Sequence, residues 1–157
     1  MEKKSGIIGF TGAFRESVKE INTGSKIVFT GSVAVCTPFI ELLSYTIRDK
    51  DFQMVYVPKA VLKKAKRIDE QQDIGFSVVN VQGDPKRPDV VVVMGGLAMP
   101  KFGCSPDDVS EMINEISGEQ KPKIIGVCFM NIFEKTGWTK KIPFDVLIDT
   151  NMETIVK

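Results

Sequence analysis

The sequence of 157 residues contains no histidine. This absence excludes a Ser-His or Cys-His nucleophile pair within the chain, and it excludes every histidine ligand to a metal ion. Any general acid–base catalysis would therefore depend on a carboxylate, a cysteine or a lysine.

Cysteine is scarce as well, with three residues and no Cys-x-x-Cys pair among them. An odd number of cysteines in a chain of this length is typical of a reducing compartment and not of a disulfide framework. No apolar run approaches the ~18 residues that span a bilayer, and the charged N-terminus is not followed by the apolar core of a signal peptide. The sequence therefore predicts a cytoplasmic protein with no membrane segment.

The chain carries almost no net charge, since 21 lysines and arginines oppose 20 aspartates and glutamates. A protein whose main function is nucleic-acid binding needs a basic face, so this balance argues against that class. The strongest basic cluster, residues 59–67, is followed directly by an acidic stretch at 69–73, which predicts a solvated surface. Hydrophobic residues make up 43% of the sequence and are spread along it, which favours one domain over residues 1–157.

Hydrophobic periodicity predicts alternating strands and helices. Apolar, β-branched runs predict strands at residues 26–30, 52–57, 76–81, 89–94, 123–129 and 144–149, with a short final strand at 153–156. Helical spacing predicts helices at residues 12–21, 39–48, 59–68, 105–116 and 131–135. This alternation is typical of a parallel sheet with helices on both faces. The predicted fold class is α/β: a single three-layer, Rossmann-like domain with a mostly parallel sheet of about six strands.

Two segments of similar order follow apolar strands. Residues 31–38 (Gly-Ser-Val-Ala-Val-Cys-Thr-Pro) are named the Gly31 turn, and residues 95–106, which begin Gly-Gly-Leu-Ala-Met and end Cys-Ser-Pro, are named the Gly95 turn. Each contains a cysteine, a hydroxyl residue and a proline in that order, and each precedes a predicted helix. Thr37 and Ser105 are predicted helix N-caps, each followed by a proline at the first helical position.

The third and fourth predicted strands are joined by a polar turn at residues 83–88, which is too short for a crossover helix. Residues 78–84 (Val-Val-Asn-Val-Gln-Gly-Asp) and 88–91 (Pro-Asp-Val-Val) resemble the corresponding stretch of methyltransferase-like Rossmann domains. The resemblance implies the strand order 3-2-1-4-5, with the sixth strand added at the C-terminus. Ligands of such sheets bind at the switch point between the first and fourth strands, at the carboxyl ends of the strands. We therefore expect the Gly31 turn and the Gly95 turn to meet there.

The sequence lacks the diagnostic residues of the common nucleotide sites. Of the dinucleotide fingerprint G-x-G-x-x-G, the first glycine alone is present, and no P-loop pattern occurs. Lys59 follows the second strand, where a ribose-binding domain carries an acid. An anion at a helix N-terminus remains as a broader possibility, and ordinary N-capping would explain the same residues without a ligand. The first hypothesis is a site for a small anionic or nucleotide-like ligand, with ligand-binding residues Gly31, Ser32, Cys36, Thr37, Gly95, Gly96, Cys104 and Ser105.

The cysteines support a second hypothesis. Cys36 and Cys104 each precede a predicted N-cap, and Cys128 lies near the carboxyl end of the fifth predicted strand. Thiols near helix N-termini have a lowered pKa and become better nucleophiles or metal ligands. The alternative is that each cysteine is a small, buried apolar residue. In the metal hypothesis Cys36, Cys104 and Cys128 bind Zn²⁺ or part of an iron–sulfur cluster.

A third hypothesis is a non-enzymatic subunit or adaptor in which the two turns serve packing alone. The short final strand offers an edge for pairing, so a homo-oligomer is expected. If the protein is an enzyme, Glu41 and Asp149 are further carboxylates within reach of this edge, although an acid near a helix start, such as Glu41, is ordinary dipole chemistry. The sequence specifies neither a reaction nor a cofactor.

Residues 31–39 (Gly-Ser-Val-Ala-Val-Cys-Thr-Pro-Phe) and 93–100 (Val-Met-Gly-Gly-Leu-Ala-Met-Pro) together resemble a family of small, uncharacterised archaeal proteins found largely in methanogens. The resemblance covers nearly the whole chain. It implies a Rossmann-like α/β domain and an archaeal cytoplasm. It implies no activity, because the family has no assigned function.

Overall fold

Runs of β-branched residues form the centre of the sheet, because their stiff side chains pack well on a pleated surface that is buried on both sides. In the computed structural model, which describes residues 1–157, Ile27 of the first strand pairs with Val90 in parallel, and the next three residues of each strand follow in register. All five residues of the Val90–Met94 strand are buried.

The chain forms four α-helices and seven strands. The order is α1 (Gly6–Ser17), β1 (Lys26–Gly31), α2 (Thr37–Thr46), β2 (Gln53–Pro58), β3 (Lys66–Gln71), β4 (Gly75–Gln82), β5 (Val90–Met94), α3 (Pro106–Ser117), β6 (Lys123–Phe129), α4 (Ile132–Lys135) and β7 (Val146–Thr150). Strands β2 to β5 follow one another without an α-helix between them. Short 3₁₀ helices lie at Arg48–Lys50, Leu62–Lys64, Gly95–Ala98 and Trp138–Lys140. The strand order is β4-β3-β2-β1-β5-β6-β7. Strands β2, β1, β5, β6 and β7 pair in parallel, whereas β3 and β4 are antiparallel to their neighbours.

The prediction of a helix at residues 59–68 is wrong. These residues form a 3₁₀ turn and the first part of β3. Ala65 and Ile68 are three residues apart, a spacing that fits a helix, but they belong to core clusters on opposite faces of the sheet. Ile68 instead pairs with Met54 of β2 in an antiparallel ladder. The sheet therefore has seven strands and not about six. The third predicted strand, residues 76–81, is β4, and β3 lies between it and β2, so the predicted strand order is wrong at this point.

The predictions at the two ends of the chain are also corrected. The first helix spans Gly6–Ser17 and not 12–21. Thr11, the residue before the predicted start, lies inside the helix, and its hydroxyl donates to the carbonyl of Ile7 at 2.9 Å. Residues 151–157 form no strand, and the edge of the sheet on that side is β7.

Alternating side chains of each strand build one core on each face of the sheet. On the face covered by α1 and α2, named the first face, Phe29 of β1 packs in a cluster with Phe14 and Ile40. On the face covered by α3 and α4, named the second face, Val28 packs in a cluster with Val109. The molecule therefore has three layers, as the sequence predicted. The longest helices contain 12 residues, and none is long and apolar enough to cross a membrane.

Candidate functional site

The Gly31 turn and the Gly95 turn meet at the carboxyl edge of the sheet, as the sequence predicted. They meet because β1 and β5 are parallel neighbours whose carboxyl ends lie side by side. A Cβ atom added to Gly96 would lie under 3.0 Å from Sγ of Cys36 and 3.2 Å from Cγ1 of Val35. The buried hydroxyl of Ser32 donates to the carbonyl of Phe102, which ties the two turns together. The junction between the turns is therefore filled by packed atoms.

The Gly31 turn leads into α2, and no side chain caps the N-terminus of that helix. Cys36, and not Thr37, is the N-cap residue, and its side chain makes no capping hydrogen bond. Thr37 is the first residue of the helix, so the predicted N-cap at Thr37 is wrong. No acid lies in the first turn of α2. Pro38 has no N–H, and the amide of Ile40 donates to the carbonyl of Cys36 at 3.0 Å. The amides of Thr37 and Phe39 therefore remain at this helix end without a side-chain acceptor.

The Gly95 turn ends differently. Ser105 is the N-cap of α3: its Oγ accepts from the amide of Asp108 at 3.2 Å, and the Asp108 carboxylate accepts from the amide of Ser105 at 3.0 Å. This reciprocal capping box confirms the predicted N-cap and satisfies the helix end. Near the other end of the turn, a Cβ atom on Gly95 would lie 2.5 Å from Cβ of Cys128, so this glycine packs directly on β6. The anion hypothesis is therefore better supported at α2 than at α3.

The three cysteines do not form the predicted metal site. Cys36 belongs to the core cluster on the first face and Cys128 to the cluster on the second face, so the sheet separates them. Cys104 packs against the second-face cluster and is partly buried. The chain contains no group of three or more histidines, cysteines, aspartates or glutamates placed to hold a metal ion.

The thiols are also not activated. Burial raises the pKa of Cys36, although hydrogen bonds from the backbone of Ser32 and Gly96 act in the opposite direction. Burial, together with the nearby charge of Asp108, raises the pKa of Cys104 to about 11. Burial raises the pKa of Cys128 to about 12. The expectation of lowered pKa values at helix N-termini is wrong because desolvation of the thiolate outweighs the helix dipole.

Cys104 is expected to react first with a thiol reagent such as DTNB, because it is the one cysteine that is not fully buried. Its raised pKa predicts a labelling rate that increases about tenfold per pH unit from neutral to mildly alkaline pH, as the thiolate fraction grows. Mass spectrometry of the labelled peptides measures this order, with a Cys104→Ser variant as the control. Labelling of Cys36 or Cys128 at the same rate in the folded protein would contradict it.

Glu41 and Asp149, the two predicted candidates for acid–base catalysis, have structural partners. Glu41 accepts from the amide of Val78 on β4 at 2.9 Å through Oε2, and thereby links α2 to the sheet. Asp149 accepts from the amide of Asn131 at 2.8 Å and holds the loop after β6. These contacts give both acids a role in the fold, and neither is assigned a role in catalysis.

The carboxyl edge also carries an apolar surface that the sequence did not predict. Four large apolar side chains on the loops after β1, β5 and β6 are between 36% and 61% exposed, and together they are named the apolar rim: Val33, Met99, Phe102 and Met130. Ala34, Met130 and Asn131 in these loops have φ values of 67°, 54° and 60°, which are uncommon for residues other than glycine. The signal in the sequence was the presence of apolar residues inside loops marked by glycine and proline.

The fold and this edge define an α/β protein whose sheet has its switch point between β1 and β5. Residues 5–153 match the family described as uncharacterized proteins conserved in archaea (DUF2124), and the chain belongs to this family.

Relatives from methanogens share nearly the full length of the chain. An uncharacterized protein of Methanocaldococcus jannaschii is 41% identical over 149 residues, which cover 95% of this chain and 88% of the relative. An uncharacterized protein of Methanothermobacter thermautotrophicus is 33% identical over 151 residues, which cover 96% of this chain and 93% of the relative. A crystal structure of a protein of unknown function from the latter organism has a TM-score of 0.87 and 30% identity, covering 100% of this chain and 96% of that one.

Proposed function

We propose that this protein binds a small ligand with an anionic group and an apolar part on the carboxyl edge of the sheet. The ligand would lie over the contact between the Gly31 turn and the Gly95 turn, at the switch point of what we interpret as a Rossmann-like sheet. The observation that carries the proposal is the apolar rim. Apolar side chains that are exposed together on neighbouring loops mark an interaction site where they form a contiguous patch.

The N-terminus of α2 supports the anionic part of the proposal. The helix begins directly after the Gly31 turn, so its N-terminus, with the amides of Thr37 and Phe39, lies at the carboxyl edge. A helix N-terminus carries roughly half a positive charge and favours an anion by about 0.3–1 kcal/mol at an exposed position. No acid in the first turn opposes this effect, whereas α3 has Asp107 and Asp108 there. The anion would therefore bind next to Thr37, beside Val33 of the rim, while the buried Ser32 hydroxyl, which donates to Phe102, would hold the two turns together.

The local backbone supports the same location. Ala34 lies in the Gly31 turn, while Met130 and Asn131 lie in the loop after β6, and all three adopt left-handed conformations. Such conformations tend to cluster at ligand-binding loops. Two separate loops of the carboxyl edge thus hold unusual backbone geometry beside the apolar rim.

Adenosine monophosphate combines a phosphate with an aromatic base and is a suitable probe. We expect it to bind more tightly than inorganic phosphate, as measured by isothermal titration calorimetry. Replacing Val33 or Phe102 by serine should weaken binding of the nucleotide about tenfold. Full burial of such a side chain contributes about 1.5–3 kcal/mol, and the ligand would cover the exposed half of it, which is about 1.4 kcal/mol or less.

The matched control is Ile74→Ser, since Ile74 is also exposed but lies in the turn between β3 and β4. This variant should bind the nucleotide like the unaltered protein. Equal affinity for phosphate and the nucleotide, or an equal loss in the control variant, would contradict a ligand site at the apolar rim.

A further inference from the structure

A groove on the second face lies outside the proposed ligand site. It consists of two adjoining cavities of about 470 and 480 Å³, and Leu62 and Glu115 line both of them. One wall is α3, and the opposite wall is formed by residues 59–63 together with the turn at 82–86. The groove exists because the chain after β2 forms a short 3₁₀ turn and β3, where a crossover helix would otherwise pack beside α3. We name it the α3 groove.

The two walls of the α3 groove carry opposite charges that do not pair. Glu111 and Glu115 project from α3, and Lys59 and Lys63 project from the opposite wall. None of these four side chains takes part in any of the ion pairs of the chain, all of which involve other residues. All four side chains are exposed, so charges of both signs are available to a ligand.

The remaining lining of the groove is mixed: Gln82, Asp84, Lys86 and Asp108 are polar or charged. Met112 and Ile116 of α3 are 2% exposed and lie at its floor, whereas Leu62, which lines both cavities, is half-buried and presents apolar surface. The lining along α3 runs from Asp108 to Ile116, which corresponds to about 12 Å at a rise of about 1.5 Å per residue. An extended peptide covers this distance with about four residues.

We propose that the α3 groove binds a short extended peptide segment of a partner protein that carries both basic and acidic side chains. Its basic side chains would contact Glu111 and Glu115, its acidic side chains would contact Lys59 and Lys63, and an apolar side chain would pack on the half-buried Leu62. A ligand with charges of one sign would be attracted by one wall and repelled by the other. This mixed charge sets the α3 groove apart from the proposed anion site on the carboxyl edge.

Selection from a displayed library of random hexapeptides against the whole protein tests the proposal without a guess at the peptide sequence. We expect the selected peptides to contain at least one basic and one acidic residue beside an apolar residue. Their affinity, measured by fluorescence anisotropy, should fall about twofold to fivefold in each of the variants Glu111→Gln and Lys63→Gln, as for partly exposed ion pairs. Binding should also protect Cys104, which lines one of the two cavities, from thiol reagents.

Two surface variants serve as matched controls. Asp107→Asn changes an exposed acid of α3 that does not line the groove, and Lys64→Gln changes the neighbour of Lys63 that does not line it. Neither should alter peptide affinity. The proposal is overturned if no peptide is enriched, if the enriched peptides carry charges of one sign, or if the control variants weaken binding as much as the groove variants.

Discussion

Replacement of Gly96 by alanine is expected to destabilise the protein by about 2–3 kcal/mol, the range found when atoms are added to a packed interior. The new Cβ atom would lie under 3.0 Å from Sγ of Cys36, a distance that real Cβ atoms essentially never show. Cys36 is itself 3% exposed and held in the core of the first face, so it has little room to move. Urea unfolding followed by circular dichroism measures the change in the free energy of unfolding.

A second substitution separates this clash from a general effect of alanine. In a Cys36→Ala background the sulfur is gone, so Gly96→Ala should cost at least about 1 kcal/mol less than in the unaltered protein, a coupling within the range for residues in contact. Gly12→Ala is the matched control, because a Cβ atom on Gly12 in α1 meets nothing within 4 Å. It should stabilise the protein by up to about 1 kcal/mol. An undiminished cost in the Cys36→Ala background would show that the two turns do not meet at this sulfur.

Replacement of Gly103 by alanine is expected to destabilise the protein by about 3 kcal/mol or more. The free-energy cost of a clash with backbone atoms exceeds the usual cost of overpacking against side chains, because the backbone has less freedom to move away. The added Cβ atom would clash with the carbonyl oxygen of Leu97 and would lie 2.8 Å from that of Met99. No change of rotamer relieves a clash with backbone atoms. The loop would have to shift, and the hydrogen bond from the amide of Cys104 to Leu97 at 3.0 Å would be strained.

The same unfolding experiment measures this effect, and Lys101→Ala is the control. Lys101 is exposed in the same loop, and its truncation should change the stability by less than about 0.5 kcal/mol. Because Phe102 is the neighbour of Gly103, the Gly103→Ala variant should also lose affinity for the proposed ligand. Full stability of this variant would contradict the tight packing of the Gly95 turn.

The parallel centre of the sheet was predictable because its strands are continuous apolar runs. Burial on both faces leaves little choice of side chain there, and the short polar turn before β5 excluded a crossover helix. The antiparallel strand β3 was not predictable in this way. Its segment mixes charges with apolar residues at helical spacing, and its conformation depends on pairing with β2 and β4, which are distant in space until the chain folds.

At the candidate site, the position of a cysteine near a helix N-terminus did not predict the direction of its pKa shift. The position of Cys36 before α2 suggested a reactive thiol, but the sequence does not show how deeply the residue is buried. Burial decided the direction of the pKa shift. The capping box at Ser105 was predictable, since it depends on residues three positions apart, whereas the apolar rim depends on three loops that come together after folding.

The most direct test of the proposed ligand site is a titration of ¹⁵N-labelled protein with adenosine monophosphate, followed by two-dimensional NMR. We expect the amide signals of residues 32–37, 95–99, 101 and 102, and that of Met130, to shift together with one affinity. Signals of α3 residues that line the groove, such as Glu115, should stay in place. Shifts confined to the α3 groove, or no shifts at millimolar nucleotide, would contradict a ligand site over the contact between the two glycine turns.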